Sequence, residues 1–156
     1  MKLIEKKILT ENEKIRITAI WNNEYPITLL FADSSGFDNY LNSLSETDHY
    51  IIENEENEIM AWCFKFIRDN EKWFAIILDE KIHGKGKGTE ILNAMKKNET
   101  NLNGWVTDKE TFKKQNGAVY KSPLNFYLKN SFTTCPEIRM ENEKLSAVKI
   151  TWRNNP

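Results

Sequence analysis

A mixed α/β (α+β) fold is expected: a mainly antiparallel central sheet with one parallel strand pair, flanked by helices. Three observations lead there. From His49 onward, apolar residues alternate with a period of two in runs separated by short polar turns, the pattern of antiparallel hairpins. Trp73–Leu78 is instead continuously apolar, as a strand buried on both faces is. It leads through a glycine-rich turn and a segment of helical period to another strand-like run, Leu102–Thr107. Strand, helix and strand in that order form a right-handed crossover between parallel neighbours. Before His49, by contrast, apolar residues recur mainly at helical spacing.

Taken in order, Leu3–Leu9 reads as a short first strand. Thr10 stands three residues before Glu13, a capping-box spacing, and Ile17, Ile20 and Trp21 follow on one helical face. That helix is expected to end near Asn23, since Pro26 disfavours helix at Tyr25. Gly36 precedes a second helical pattern of Phe37, Tyr40, Leu41 and Leu44. The segment between them carries Glu24 and Tyr25, candidates to face a substrate. His49–Asn54 and Ile59–Arg68 read as strands, the latter with Met60, Trp62, Phe64 and Phe66 on one face and Cys63 on the other. After Trp73–Leu78 and the glycine turn, Ile91, Leu92 and Met95 share one side of a helix with Gly88 a turn earlier. Beyond Leu102–Thr107, Asp108 can cap a helical stretch ending at Gly117. Ser122 and Pro123 open a short helix with Leu124, Phe126, Tyr127 and Leu128, closed by a left-handed Asn130. Glu137–Glu141 and Leu145–Trp152 pair as a final hairpin.

At 156 residues with 40% hydrophobic content, the chain suits one domain with a substantial core, expected over 1–156. A formal charge of −1 gives no overall field towards nucleic acid or a membrane, and neither partner is expected. No apolar run approaches the ~20 residues that span a bilayer. Charges interrupt the first residues throughout, so no signal peptide is expected and a cytoplasmic location is. Cys63 and Cys135 read as free thiols, and the scattered histidines and cysteines offer no zinc spacing, so no metal is expected. Homodimerisation through exposed aromatics is one open option.

The chemistry concentrates after Leu78. A strand feeding a glycine-rich turn and a helix start brings free N–H groups and the positive end of the helix dipole to one place, which suits a phosphate. Gly84, Gly86 and Gly88 let a ligand approach the main chain without a Cβ in the way. The spacing matches neither GxxxxGK[ST] nor GxGxxG. Lys81, Lys85 and Lys87 fit either phosphate contacts or a solvated turn.

The order His83-Gly84-Lys85-Gly86-Lys87-Gly88 resembles the (Gln/Arg)-x-x-Gly-x-(Gly/Ala) pyrophosphate loop of the GNAT superfamily, the acyl-CoA-dependent N-acyltransferases, with His83 in place of Gln or Arg. Ser122–Phe132, SPLNFYLKNSF, resembles the GNAT segment in which a Phe-Tyr pair on a short helix precedes a Lys-Asn-Gly-Phe-like turn. Here Phe126, Tyr127, Lys129, Asn130 and Phe132 match and Ser131 replaces glycine. The resemblance implies acetyl-CoA as acyl donor and an unidentified amine as acceptor. It implies Leu78, His83, Gly84, Lys85, Gly86, Lys87, Gly88 and Thr89 as cofactor contacts. Two catalytic roles come with it: the Leu78 N–H faces the thioester carbonyl, and Tyr127 is the general acid for the leaving thiolate. Tyr120 stands where members often carry an asparagine that bonds the pantetheine arm.

An amine acceptor of lysine-like pKa, ~10.4, must lose a proton before it attacks. Asp79, Glu80, Glu24, His49 and a water relay are the candidate acceptors of that proton. The strand Trp73–Leu78 holds no acid and is excluded. Because His83 and Ser131 depart from the pattern, a non-catalytic acyl-CoA sensor or interaction module stands as the alternative.

Overall fold

The computed structural model describes residues 1–154, so the last two positions of the expected domain, 155 and 156, lie outside the described residues. Its centre is a seven-stranded sheet of order β1-β2-β3-β4-β5-β7-β6. The strands are β1 (Lys2–Lys6), β2 (Ser45–Glu53), β3 (Ile59–Arg68), β4 (Glu71–Leu78), β5 (Asn101–Thr107), β6 (Thr133–Glu141) and β7 (Ser146–Arg153). All neighbours are antiparallel except β4 and β5, the expected parallel pair. β1 stops at Lys6, short of the expected Leu9. β2 begins at Ser45 rather than His49, because its first half, Ser45–Asp48, has no apolar alternation to announce it.

Helices α1 (Glu11–Glu24) and α2 (Ser34–Asn42) cover one face. The capping box forms as spaced: Thr10 Oγ1 accepts from the Glu13 N–H at 3.2 Å and the Glu13 carboxylate accepts from the Thr10 N–H at 2.7 Å. α2 starts earlier than expected, because Asp33 caps it through the Ser35 N–H at 2.9 Å and Gly36 lies inside the helix. Ile17, Ile20, Trp21 and Phe37 pack there on Trp62, Phe64, Phe66, Trp73 and Ile77. Helices α3 (Lys87–Lys96) and α4 (Leu124–Lys129) cover the other face, bringing Ile91, Leu92, Met95 and Tyr127 onto Ala61, Cys63, Phe74, Leu102 and Ile150. Met60 departs from expectation. Ile52 pairs with Ala61 but Glu53 pairs with Ile59, so Met60 is the extra residue of a bulge and packs with the α3-side core, not with Trp62. Cys63 is buried against Met95, and burial pushes its thiol up.

The helix expected between Asp108 and Gly117 does not form. Residues 108–123 run as a loop with a tight turn closed by the Lys114 N–H on Ala118 O, 2.8 Å, and an isolated bridge between Lys113 and Val119. Asp108, the supposed cap, instead takes two hydrogen bonds from the Arg139 guanidinium, at 2.8 and 2.9 Å. The loop is tied to the α1–α2 connection by the Ile27 N–H on Lys113 O at 2.7 Å. Among the described residues no helix is long and apolar enough to cross a membrane.

His49 yields a stability prediction. It is 3% exposed, stacked on Trp62 and Phe64, and its Nδ1 accepts from the Trp62 indole N–H at 3.1 Å. Protonating Nδ1 would turn the acceptor into a donor facing a donor. Burial lowers the imidazole pKa from 6.5 to about 4. The unfolded chain therefore binds a proton between these values that the folded chain refuses, and stability falls as the pH is lowered across that window. The drop expected between pH 6.5 and 4 is about 3 kcal/mol, by linkage at ~1.4 kcal/mol per pH unit. Denaturant titrations of wild type and His49→Gln check it: the share of the drop due to His49 is expected to be missing from the variant.

Candidate active site

β4 and β5 pair in register only at Trp73↔Asn103, near their N-terminal ends. Gly104 sits just beyond, where a Cβ would come 2.9 Å from the Phe74 ring, so the glycine lets that ring close the bottom of the cleft. Above that level the strands part. On its other side, β4 stays paired with β3 up to Ala61↔Leu78, and the Asp79 N–H donates to Met60 O at 2.8 Å. Antiparallel ladders alternate, so Asp79 and Ile77 direct their backbone groups at β3 while Ile76 and Leu78 direct theirs at β5. The side-chain contacts agree. Ile76 O accepts from the Tyr25 hydroxyl at 3.2 Å, and Leu78 O accepts from His83 Nε2 at 2.9 Å.

Past Leu78, Asp79 caps a 3₁₀ turn, Glu80–Ile82, through the Lys81 N–H at 2.9 Å. Gly84 and Gly86 then take φ of +74° and +76°, the left-handed region that disfavours a Cβ, and a Cβ at either would meet nothing within 4 Å. Gly86 is the N-cap of α3 and, lacking a side chain, offers no cap hydrogen bond. The first N–H groups of α3, from Lys87, Gly88 and Thr89, thus have no capping side chain, in an open setting at the positive end of the dipole. Lys87 is engaged with Glu90 at 3.0 Å, while Lys81 and Lys85 are exposed. Gly88 packs inward, since its Cβ would lie 3.0 Å from Phe126 Cζ.

Glu24 is 7% exposed and accepts from the Glu80 N–H at 2.9 Å. Lys114 lies 3.4 Å from it and His83 Nε2 4.0 Å. Glu24 and Tyr25, at the end of α1, therefore meet Leu78 and His83 at one strand end. Lys114 and Tyr120 join from the 108–123 loop. Burial and the Glu24 carboxylate push the Tyr120 phenol up to about 12. Burial, then the proximity of Tyr120, raises Tyr25 and Tyr127. Tyr127 is 6% exposed, with its ring 5.7 Å from Phe74, and its hydroxyl makes no hydrogen bond among the described residues.

The remaining base candidates separate on geometry. His49 belongs to β2, with β3 between it and β4, and its Nδ1 is taken by Trp62. Asp79 is buried, which raises its pKa, but the Lys81 N–H and Arg16, at 2.9 Å, outweigh that and hold it below the usual carboxylate range. Glu80 is exposed. Sequence reasoning missed Ile76, Lys114 and Tyr120 as neighbours of this cluster. The signal for Ile76 was its two-residue offset from Leu78. Lys114 lay hidden in the stretch read as helix.

α4 ends in a Schellman motif: the Phe132 N–H reaches Tyr127 O at 3.1 Å and the Ser131 N–H reaches Leu128 O at 3.3 Å. The left-handed residue is Ser131, φ +72°, and not the expected Asn130, φ −103°. Asn130 instead donates from its side chain to Phe126 O at 2.8 Å. A non-glycine residue in that region costs about 1–2 kcal/mol, and glycine returns part of the relief as unfolded-state entropy. Ser131→Gly is expected to stabilise the protein by about 0.5–1 kcal/mol, read as a rise in the urea midpoint at unchanged m. A fall in the midpoint would show the serine to be favoured there.

No family model matches the chain, and no curated protein matches it in sequence. In structure, solved proteins do match it. An aminoglycoside 6'-N-acetyltransferase complexed with coenzyme A superposes with TM-score 0.74 at 9% identity, covering 100% of this chain and 98% of that one. A GNAT superfamily phosphinothricin acetyltransferase from Sinorhizobium meliloti, in complex with acetyl-CoA, gives 0.65 at 10% identity over 98% and 89%. A mutant spermidine N-acetyltransferase from Vibrio cholerae gives 0.65 at 15% identity over 98% and 95%. At such identities the likeness is one of architecture. With its single parallel strand pair, splayed edge and glycine turn, the chain has the fold of the GNAT superfamily.

Proposed function

We propose that this chain, as one domain over 1–156, is an acetyl-CoA-dependent N-acetyltransferase. It transfers the acetyl group to a primary amine of a small molecule or peptide by direct attack in a ternary complex. The observation that carries this is the uncapped start of α3 beside the parting of β4 and β5. An anionic group suits the first, and an extended chain with amide groups suits the second. The names of the similar structures, acetyltransferases of amine substrates, support the same reaction class.

In this proposal the turn His83–Gly88 and the N–H groups of Lys87, Gly88 and Thr89 hold the diphosphate, with Lys85 adding charge. The pantetheine arm lies along the β5-facing edge of β4. The Leu78 N–H donates to the thioester carbonyl, and such a donor strengthens as the tetrahedral oxyanion forms. Holding amine and thioester together supplies much of the rate. The amine enters beside Tyr25 and Glu24, where the Glu24 carboxylate attracts the ammonium form and takes its proton directly or through water. The Tyr127 phenol then gives a proton to the departing thiolate.

We further propose a cytoplasmic protein that acts on neither nucleic acid nor membranes. Homodimerisation is retained as a proposal on different residues: among the described residues the exposed large apolar side chains, Ile27, Leu30 and Val119 among them, include no aromatic one. Thiol release from acetyl-CoA across a panel of amines, amino acids and peptides tests the assignment. Release with at least one amine is expected. Acetyl-CoA binding with no release on any acceptor would favour the acyl-CoA sensor, and no binding would remove both.

A further inference from the structure

We propose that His83 and Tyr25 form a latch that keeps the β4 edge of the cleft shut until the pantetheine arm displaces them. The proposal rests on the acetyl-CoA assignment above. The β4 ladder leaves two carbonyls, Ile76 O and Leu78 O, facing the widening gap to β5. A backbone carbonyl away from water needs a donor, and β5 supplies none at that height. Each is met by a side chain from outside the sheet. Tyr25, at the C-terminal end of α1, donates to Ile76 O at 3.2 Å, and His83, from the glycine turn, to Leu78 O at 2.9 Å.

The two carbonyls stand two residues apart, about 6.7 Å along a strand. Pantetheine carries two amide N–H donors four bonds apart, about 5 Å when extended, so with the thioester at the Leu78 N–H one amide N–H can take the place of His83 on Leu78 O while the acyl end displaces Tyr25 from Ile76 O. At Leu78 O, opening the latch exchanges one hydrogen bond for another of similar kind, at little net cost. His83 is built to move. Its side chain is 53% exposed, and the next residue is a left-handed glycine. In this position Nε2 also lies 4.0 Å from the Glu24 carboxylate. Once released, the ring's N–H can turn to the diphosphate at the start of α3. His83 at the position of the family's Gln or Arg then serves two states: closing the cleft when empty and contacting the cofactor when full.

Pantetheine, which has no diphosphate, isolates the first of these roles. Titrations of pantetheine and of acetyl-CoA into wild type, His83→Ala and Tyr25→Phe, followed by NMR, test the latch. Removing one competing neutral hydrogen bond is expected to tighten pantetheine binding about three- to tenfold in each variant. In wild type, the His83 Nε2 resonance is expected to shift from its carbonyl-bonded position when acetyl-CoA is added. Pantetheine affinity equal to wild type, or weaker, in both variants overturns the latch; if wild type still binds acetyl-CoA, the cofactor assignment stands. Failure of wild type to bind acetyl-CoA overturns that assignment and the latch with it.

Discussion

Replacing Gly86 with aspartate is expected to weaken acetyl-CoA binding by about 10²-fold, measured by calorimetry on the folded variant. Gly86 holds φ +76° at the N-cap of α3, and a Cβ there enters open space rather than protein. Aspartate is among the residues that tolerate the left-handed region, so the fold survives and the new charge is the main effect. A carboxylate ~4 Å from a phosphate oxygen costs about 1 kcal/mol per charge pair in water and about 4 at a protein surface, which brackets the loss. Gly86→Asn supplies the comparison, with the same shape and backbone preference and no charge. Its loss is expected to be at least tenfold smaller. If both variants bind acetyl-CoA like wild type, the turn is a packing feature and the diphosphate lies elsewhere.

Tyr127→Phe is expected to lower kcat by ~10²–10⁴ with little change in acetyl-CoA affinity, the signature of a lost general acid. The packing argues for a clean substitution. The ring sits among Phe74, Phe126 and Phe132, with centroids 5.0–5.7 Å away, and the hydroxyl has no partner among the described residues to leave orphaned. Burial raises this phenol above its ordinary value of ~10, so it keeps its proton through the neutral range. Its ionisation therefore imposes no loss of activity below about pH 10. A variant that turns over at the wild-type rate would leave Tyr127 with a packing role alone.

Most of the fold was legible because the core writes itself in periods. Trp62, Phe64 and Phe66 alternate along β3, and Ile91, Leu92 and Met95 recur along α3, each set meeting one layer. The failures fall where local signals are silent. Ser45–Asp48 has no apolar alternation, and its pairing with β3 shifts register on the way. The Met60 bulge is one residue in the register, invisible to an alternation that tolerates either phase. Asp108 looked like a cap because its partner, Arg139, is distant in sequence. The turn after α4 was read one residue early, since Asn130 is the better left-handed residue intrinsically, yet the Schellman bonds place that conformation at Ser131. The glycine turn and Tyr127 stood out as motifs. What brings Glu24, His83, Tyr25 and Lys114 together is tertiary: the end of α1, the end of β4 and the 108–123 loop converge, and no spacing along the chain records it.

The most direct test is a crystal structure of the protein grown with acetyl-CoA. The diphosphate is expected on the N–H groups of Lys87, Gly88 and Thr89, with the pantetheine arm between β4 and β5 and the thioester carbonyl at the Leu78 N–H. A cofactor bound away from the start of α3, or a cleft still filled by its own side chains at saturating acetyl-CoA, would contradict it.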